Sequence, residues 1–215
     1  MIRLTKQAKP PILARNEAQW TDEYERHRAG DPTVPTAAAT RYRHADVKGA
    51  VTAESHGKCI YCESFPLATS PGAVEHLTPK SRFPSRVVEW QNLGFVCERC
   101  NTAKGDYHHD EEAVINPFVE EPQDFLIFAG PLVLDRNARG DVTIRTVALD
   151  RTELVESRAE HIRQLNRLRR LMAFLPEGPA RDALRDDLAR AGDESSEFAA
   201  ISRAYLRASD HPPIP

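Results

Sequence analysis

Four cysteines stand in two pairs, Cys59-x-x-Cys62 and Cys97-x-x-Cys100, with 34 residues between the pairs. A CxxC turn points both sulfurs inward at a spacing that suits two corners of a tetrahedron. Two such turns complete a four-thiolate zinc site. The competing readings are redox CxxC chemistry or four buried thiols. Both are weakened because no thioredoxin-like βαβ pattern surrounds the pairs. Four thiolates leave no open position for water, so this zinc is expected to be structural. His56, three residues before Cys59, is a surplus donor beside a set that already satisfies the ion.

Between the pairs come Glu75-His76 and then Asn92; Asn101 follows Cys100 directly, and Lys104 stands three residues later. The stretches "CIYCE", "VEHLTPK", "EWQNL", "CERCNTAKG" and "INPF", followed by "TIRTVALDRTELVESR", resemble the HNH endonucleases, which carry a ββα-metal site. Most narrowly they resemble the HNH nucleases of Septu-type anti-phage systems and related retron-associated, PtuB-like proteins. The likeness covers about residues 40–158. It implies that His76 is the general base that deprotonates the attacking water. It implies that Asn92 ties the loop and holds the His backbone. Asn101 stands where many members carry a final His and would offer its carbonyl oxygen to a catalytic metal. Glu75 stands where an acidic second ligand often occurs. The resemblance further implies DNA as substrate, 5′-phosphate and 3′-hydroxyl products, a role in defence against phage, and an ATPase partner subunit that controls cleavage.

The chemistry of the residues agrees. Phosphodiester cleavage needs an aligned nucleophile, charge relief on the phosphate and stabilisation of the leaving oxygen. A neutral imidazole is a suitable base near neutral pH. A carboxylate and an amide oxygen suit Mg²⁺ or Mn²⁺, and Mg²⁺ accepts few protein ligands alongside water and phosphate. Adjacent strand residues point to opposite faces, so Glu75 and His76 can share a site only if the strand ends or twists there, which Pro79 favours. The second knuckle is predicted to lead into a helix, "ERCNTAKG", ended by Gly105. Lys104, at i+3 from Asn101, is then within reach of a phosphate, as are Lys80 and Arg82 in the intervening loop. Such contacts position a duplex without reading its sequence. Plainer readings stand beside these: a buried hydrogen-bonded His76, a turn residue at Asn92, a solvated helix end at Lys104. His108-His109-Asp110 reads as an exposed polar run and Trp90 as core packing.

These residues need a scaffold. The expected fold class is α+β: a ββα-metal HNH core braced by the four-cysteine zinc site, surrounded by helices, with a C-terminal helical segment. The expected divisions are an N-terminal helical segment at 1–57, the core at 58–110, a loop and β-hairpin at 111–149, and the helical segment at 150–215. "NEAQWTDEYERHRAG" is helical, with Trp20 and Tyr24 on one face, and "AAATRYRHADVKGAVTAESHG" is helix-prone up to Gly57. A short helix is expected near 123–128. "PLVLDRNARGDVTIRTVAL" reads as a hairpin with Leu132–Leu134 and Val142–Val147 as its strands. A long helix capped by Asp150, with Glu153 completing the box, carries a stripe of Leu154, Ile162, Leu165, Leu168, Leu171 and Met172. "PEGP" stops it, and two shorter helices split at Gly192 follow. The Arg-rich positions from Arg158 to Arg170 read as a solvated face or a partner surface.

Composition bounds the rest. The chain of 215 residues is 40 % hydrophobic and 28 % charged, as in a soluble globular protein. No apolar run approaches the roughly 18 residues of a membrane span. The basic start lacks a hydrophobic signal core, which makes the cytoplasm the default compartment, where paired cysteines more often hold metal than disulfides. A net charge of −3 argues against a basic nucleic-acid coat. Between Lys80 and Lys104, however, five Lys/Arg face two Glu. Two other functions remain open: a non-catalytic zinc-ribbon module that binds nucleic acid or protein, and a nuclease directed at tRNA or other RNA.

Overall fold

The computed structural model describes residues 1–68 and 70–209. Helix α1 (Pro11–Arg28) opens with proline in its first turn, where a missing N–H costs nothing. It buries Leu13, Trp20 and Tyr24. A 3₁₀ helix (Thr36–Arg43) and α2 (Ala45–Glu54) follow. Strands β1 (Ala73–His76) and β2 (Leu93–Val96) pair antiparallel, with Glu75 opposite Gly94 and His76 opposite Leu93. Helix α3 (Glu98–Lys104) then runs from the second cysteine knuckle to Gly105, whose φ of 53° ends it. The order β1–β2–α3 is the expected ββα unit.

Every residue of β2 is buried, because the unit is covered on both sides. On one side Tyr24, Tyr42, Val47 and Val51 from the N-terminal segment pack on Val74, Trp90, Leu93 and Phe95. On the other, the cysteine knuckles join Val96, Ile115, Leu126, Ile144, Leu154 and Phe198 in a second cluster. Gly94 permits a close approach: a Cβ there would sit 2.6 Å from Ile60 Cδ1. The first knuckle can thus lie against β2, where the Ile60 N–H donates to the Phe95 carbonyl at 3.0 Å.

The region after the core departs from expectation. The hairpin pairs β3 (Leu126–Ala129) with β4 (Leu132–Asp135), so the expected short helix near 123–128 is a 3₁₀ turn at Pro122–Asp124 that gives way to strand from Leu126. The expected second strand, Val142–Val147, lies almost wholly in helix α4 (Ala138–Thr146). Asn137 decides this: its side-chain oxygen accepts from the Gly140 N–H at 3.1 Å and caps the helix. Gly140, Thr143 and Ile144 are buried at helical spacing, and a Cβ on Gly140 would strike the Phe125 carbonyl at 2.2 Å.

Helix α5 (Thr152–Phe174) is not capped by Asp150; Arg151 stands at the N-cap and makes no side-chain cap. Of the predicted stripe, Leu154 and Leu165 are buried, while Leu171 is exposed at the far end. Arg158, expected on a solvated face, is only 2 % exposed and donates to the Leu149 carbonyl at 2.7 Å. Helices α6 (Pro179–Arg190) and α7 (Ala199–Ser209) flank Gly192 as expected. Residues 210–215 of the expected C-terminal segment lie outside the described residues. Among the described residues no helix is long and apolar enough to cross a membrane.

Candidate active site

The four cysteine sulfurs lie within 4.8 Å of one another, and all four residues are buried. Cys62 Sγ and Cys97 Sγ are 3.7 Å apart. A tetrahedron with Zn–S bonds of about 2.3 Å has edges of about 3.8 Å, so this donor set fits zinc. Local bonds shape it: the Cys100 N–H points at Cys97 Sγ at 3.4 Å, and the Ser64 hydroxyl lies 3.0 Å from Cys62 Sγ. Arg151 reaches Cys100 Sγ at 3.6 Å. That guanidinium offsets the negative charge of four thiolates in a buried place, which is why Arg151 serves here and not as a surface residue.

His76 ends β1 with its imidazole buried. Its Nε2 lies 2.8 Å from the Val87 carbonyl, which can only accept, so Nε2 carries the proton and Nδ1 keeps the lone pair. The Tyr42 ring packs edge-on at 4.7 Å between centroids. Burial, then the positive charge of Lys80, followed by those of Lys104 and Arg43, hold the imidazole neutral and lower its pKa to about 3, against the opposing Val87 bond.

Asn92 accounts for the position of Val87. It is fully buried, accepts from the Thr78 N–H at 2.7 Å, and donates to the Thr78 and Arg86 carbonyls, each at 3.0 Å. The loop from 78 to 87 is therefore tied at both ends to one amide. Trp90 beside it is core, its indole N–H donating to the Gln7 carbonyl.

Glu75 is buried, and its Oε1 takes the Lys104 ammonium at 2.7 Å and the Tyr61 hydroxyl at 3.4 Å. Lys104 also donates to the His76 carbonyl at 3.0 Å. Lys104 is thus neither a solvated helix end nor open to a phosphate: α3 turns it inward, onto the carboxylate of the neighbouring strand. Burial raises the pKa of Glu75, and Lys104 opposes that rise. Asn101, half-buried on α3, makes no side-chain hydrogen bond among the described residues.

Glu75, His76 and Asn101 line one cleft of about 480 Å³, with Lys80, Ser81, Asp106, Tyr42, Arg43 and Lys48. The strand ends at His76, which lets adjacent residues reach the same space. For a hard cation the fit is partial: the Asn101 amide is available, and Glu75 has a second oxygen with lone pairs beyond the one that meets Lys104. Arg82 lies aside, donating to the His108 carbonyl at 3.1 Å. Tyr42, Arg43, Lys48 and Asp106 were not singled out from sequence. Three of them precede the first cysteine, and nothing in local spacing signals that a distant 3₁₀ helix and the first turn of α2 will wall the cleft.

A β-strand ending in histidine, its antiparallel neighbour and a helix launched from a cysteine knuckle define an HNH-type site. Residues 59–107 match the HNH endonuclease family, so the chain contains an HNH domain. Over a longer stretch it is similar to two Septu proteins PtuB. It is 28 % identical to that of Bacillus thuringiensis over 154 residues, 71 % of this chain and 56 % of the relative. It is 25 % identical to that of Bacillus mycoides (strain KBAB4) over 196 residues, 74 % of this chain and 66 % of the relative. The aligned part thus spans less than two thirds of the length of either relative.

Proposed function

We propose that this chain is a metal-dependent HNH endonuclease that hydrolyses phosphodiester bonds of DNA. One observation carries the reading: the neutral His76 imidazole is fixed through Nε2, which leaves its lone pair on Nδ1, and His76 lines one cleft with two oxygen donors, Glu75 and Asn101. In this reading Nδ1 takes the proton of the attacking water. The Val87 carbonyl steadies the imidazolium that forms, and Asn92 keeps that carbonyl in place. Glu75 and Asn101 are the residues that would hold Mg²⁺ or Mn²⁺, which supplies charge relief at the phosphate and leaving oxygen. Lys80, on the cleft wall, holds the substrate backbone. The cysteines, holding zinc, brace α3 so that Asn101 faces His76.

Similarity to the Septu proteins supports a role in defence against phage. An ATPase partner that restrains cleavage follows from the same reading, because an unrestrained nuclease would damage its host. The experiment is cleavage of plasmid and of RNA, side by side, by the chain with Mg²⁺ or Mn²⁺, alone and with the product of a neighbouring ATPase gene. Wild type should cut DNA, weakly alone, and His76→Ala should not, with zinc content unchanged. No cutting by wild type under any of these conditions would favour a binding module; cutting of RNA alone would redirect the substrate; rapid degradation of plasmid by the isolated chain would remove the partner's control.

A further inference from the structure

We infer that the N-terminal segment supplies the backbone clamp of this cleft, with Arg43 and Lys48 binding DNA phosphates next to the scissile one and Tyr42 holding both Arg43 and the His76 ring in register. This rests on the nuclease reading and adds residues outside the HNH domain to its working surface.

The cations within the domain are largely engaged elsewhere. Lys104 is buried on Glu75. Arg86 pairs with Glu89 and donates to the Thr78 hydroxyl. Arg99 faces Glu153, on α5, at 3.7 Å. Arg82 is held on the His108 carbonyl. Lys80 is the domain cation that lines the cleft. A polyanion needs more than one such contact to be held in line.

The missing charges come from before the first cysteine. Arg43 and Lys48 both line the cleft with His76 and Asn101. Lys48 makes no ion pair among the described residues. Arg43 donates through Nε to the Tyr42 hydroxyl at 3.1 Å, which leaves its two terminal nitrogens for a phosphate. Tyr42 is buried and is touched from three directions: by Arg43 at its hydroxyl, by Lys80 5.0 Å from its ring centroid, and by the edge of His76. One rigid ring thereby sets the spacing between the base and two cations. The carboxylates at the cleft are Glu75, which Lys104 neutralises, and Asp106, so positive charge predominates. Such contacts are to the backbone and carry no sequence preference.

The test is binding of a short double-stranded DNA by fluorescence anisotropy over a range of salt, using the full zinc-loaded chain without added Mg²⁺ or Mn²⁺. Arg43→Gln/Lys48→Gln should weaken binding about tenfold or more and lower the salt slope by about two. Tyr42→Phe, which keeps the ring and removes the Arg43 anchor, should fall between. Arg163→Gln/Arg167→Gln, which removes the same charge from exposed α5, should change nothing. With Mg²⁺ the cleft double variant should show raised KM for plasmid. If wild type cuts DNA while the cleft variant keeps affinity and slope, the clamp is wrong and the nuclease reading survives. If the α5 control loses as much, only net charge is at work and the clamp is again wrong. Clamp-dependent binding of RNA but not DNA overturns the DNA assignment; no binding and no cutting of either overturns both readings.

Discussion

Lys104 Nζ lies 2.7 Å from Glu75 Oε1, and both side chains are buried. The pair joins α3 to β1 immediately beneath His76, whose backbone carbonyl takes a second bond from the same ammonium. Two strand residues and a helix residue are thereby locked in one register. A buried ion pair is costly to break because the partner that remains is an uncompensated charge. Lys104→Met should therefore destabilise the fold by about 3 kcal/mol in chemical denaturation, and adding Glu75→Gln should recover much of the loss. A single variant within about 1 kcal/mol of wild type would mean that the pair is not structural.

The sulfur cluster should hold one zinc per chain through purification, as measured by elemental analysis. Cys97→Ser removes a thiolate ligand while keeping an oxygen at the N-cap of α3, and should cost the metal, the bracing of that helix and any cleavage together. A fully folded, metal-free preparation would contradict the assignment of the cluster.

Asn92 makes three hydrogen bonds across the loop that carries Val87. Asn92→Ala leaves those backbone groups buried without partners, at about 2–4 kcal/mol of stability. Because Val87 orients the imidazole, cleavage should fall about tenfold or more even below the melting transition. Loss of stability with kcat intact would show that the loop does not position His76.

The pKa of His76 lies at about 3, against an ordinary 6.5, because burial and nearby cations disfavour the charged form. The unfolded chain therefore binds a proton that the folded chain refuses between these two values. The neutral imidazole's contribution to stability is complete above the unfolded value of 6.5 and is lost as pH falls toward about 3. Histidine-labelled, zinc-bound protein followed by ¹⁵N NMR should show His76 as the Nε2–H tautomer, unprotonated down to about pH 5.5. The opposite tautomer, with the proton on Nδ1, would remove the geometric basis for a base there.

Short-range chemistry was legible in the residues themselves. Two CxxC turns converge on one buried cluster because each turn is a local structure with its own geometry, and Gly105 ends α3 because only glycine takes its backbone angles cheaply. The ββα order, by contrast, was an expectation that the motifs carried through their resemblance to the HNH nucleases. Val142–Val147 misled because β-branched composition is a weak preference that a helix cap at Asn137 overrides.

What the chain alone determined, then, were the thiolate set, the Glu75-His76 and Asn101 positions along the backbone, and the helix that carries the last of these. Only the tertiary structure decided that Lys104 faces inward and that Tyr42, Arg43 and Lys48 wall the cleft. It also decided that a carbonyl at Val87 selects the tautomer of His76. The physical reason is range: a helix or a knuckle is specified by neighbours a few residues away. The destination of a long cationic side chain depends instead on which carboxylate, carbonyl or ring the packed fold brings within about 3–5 Å of it.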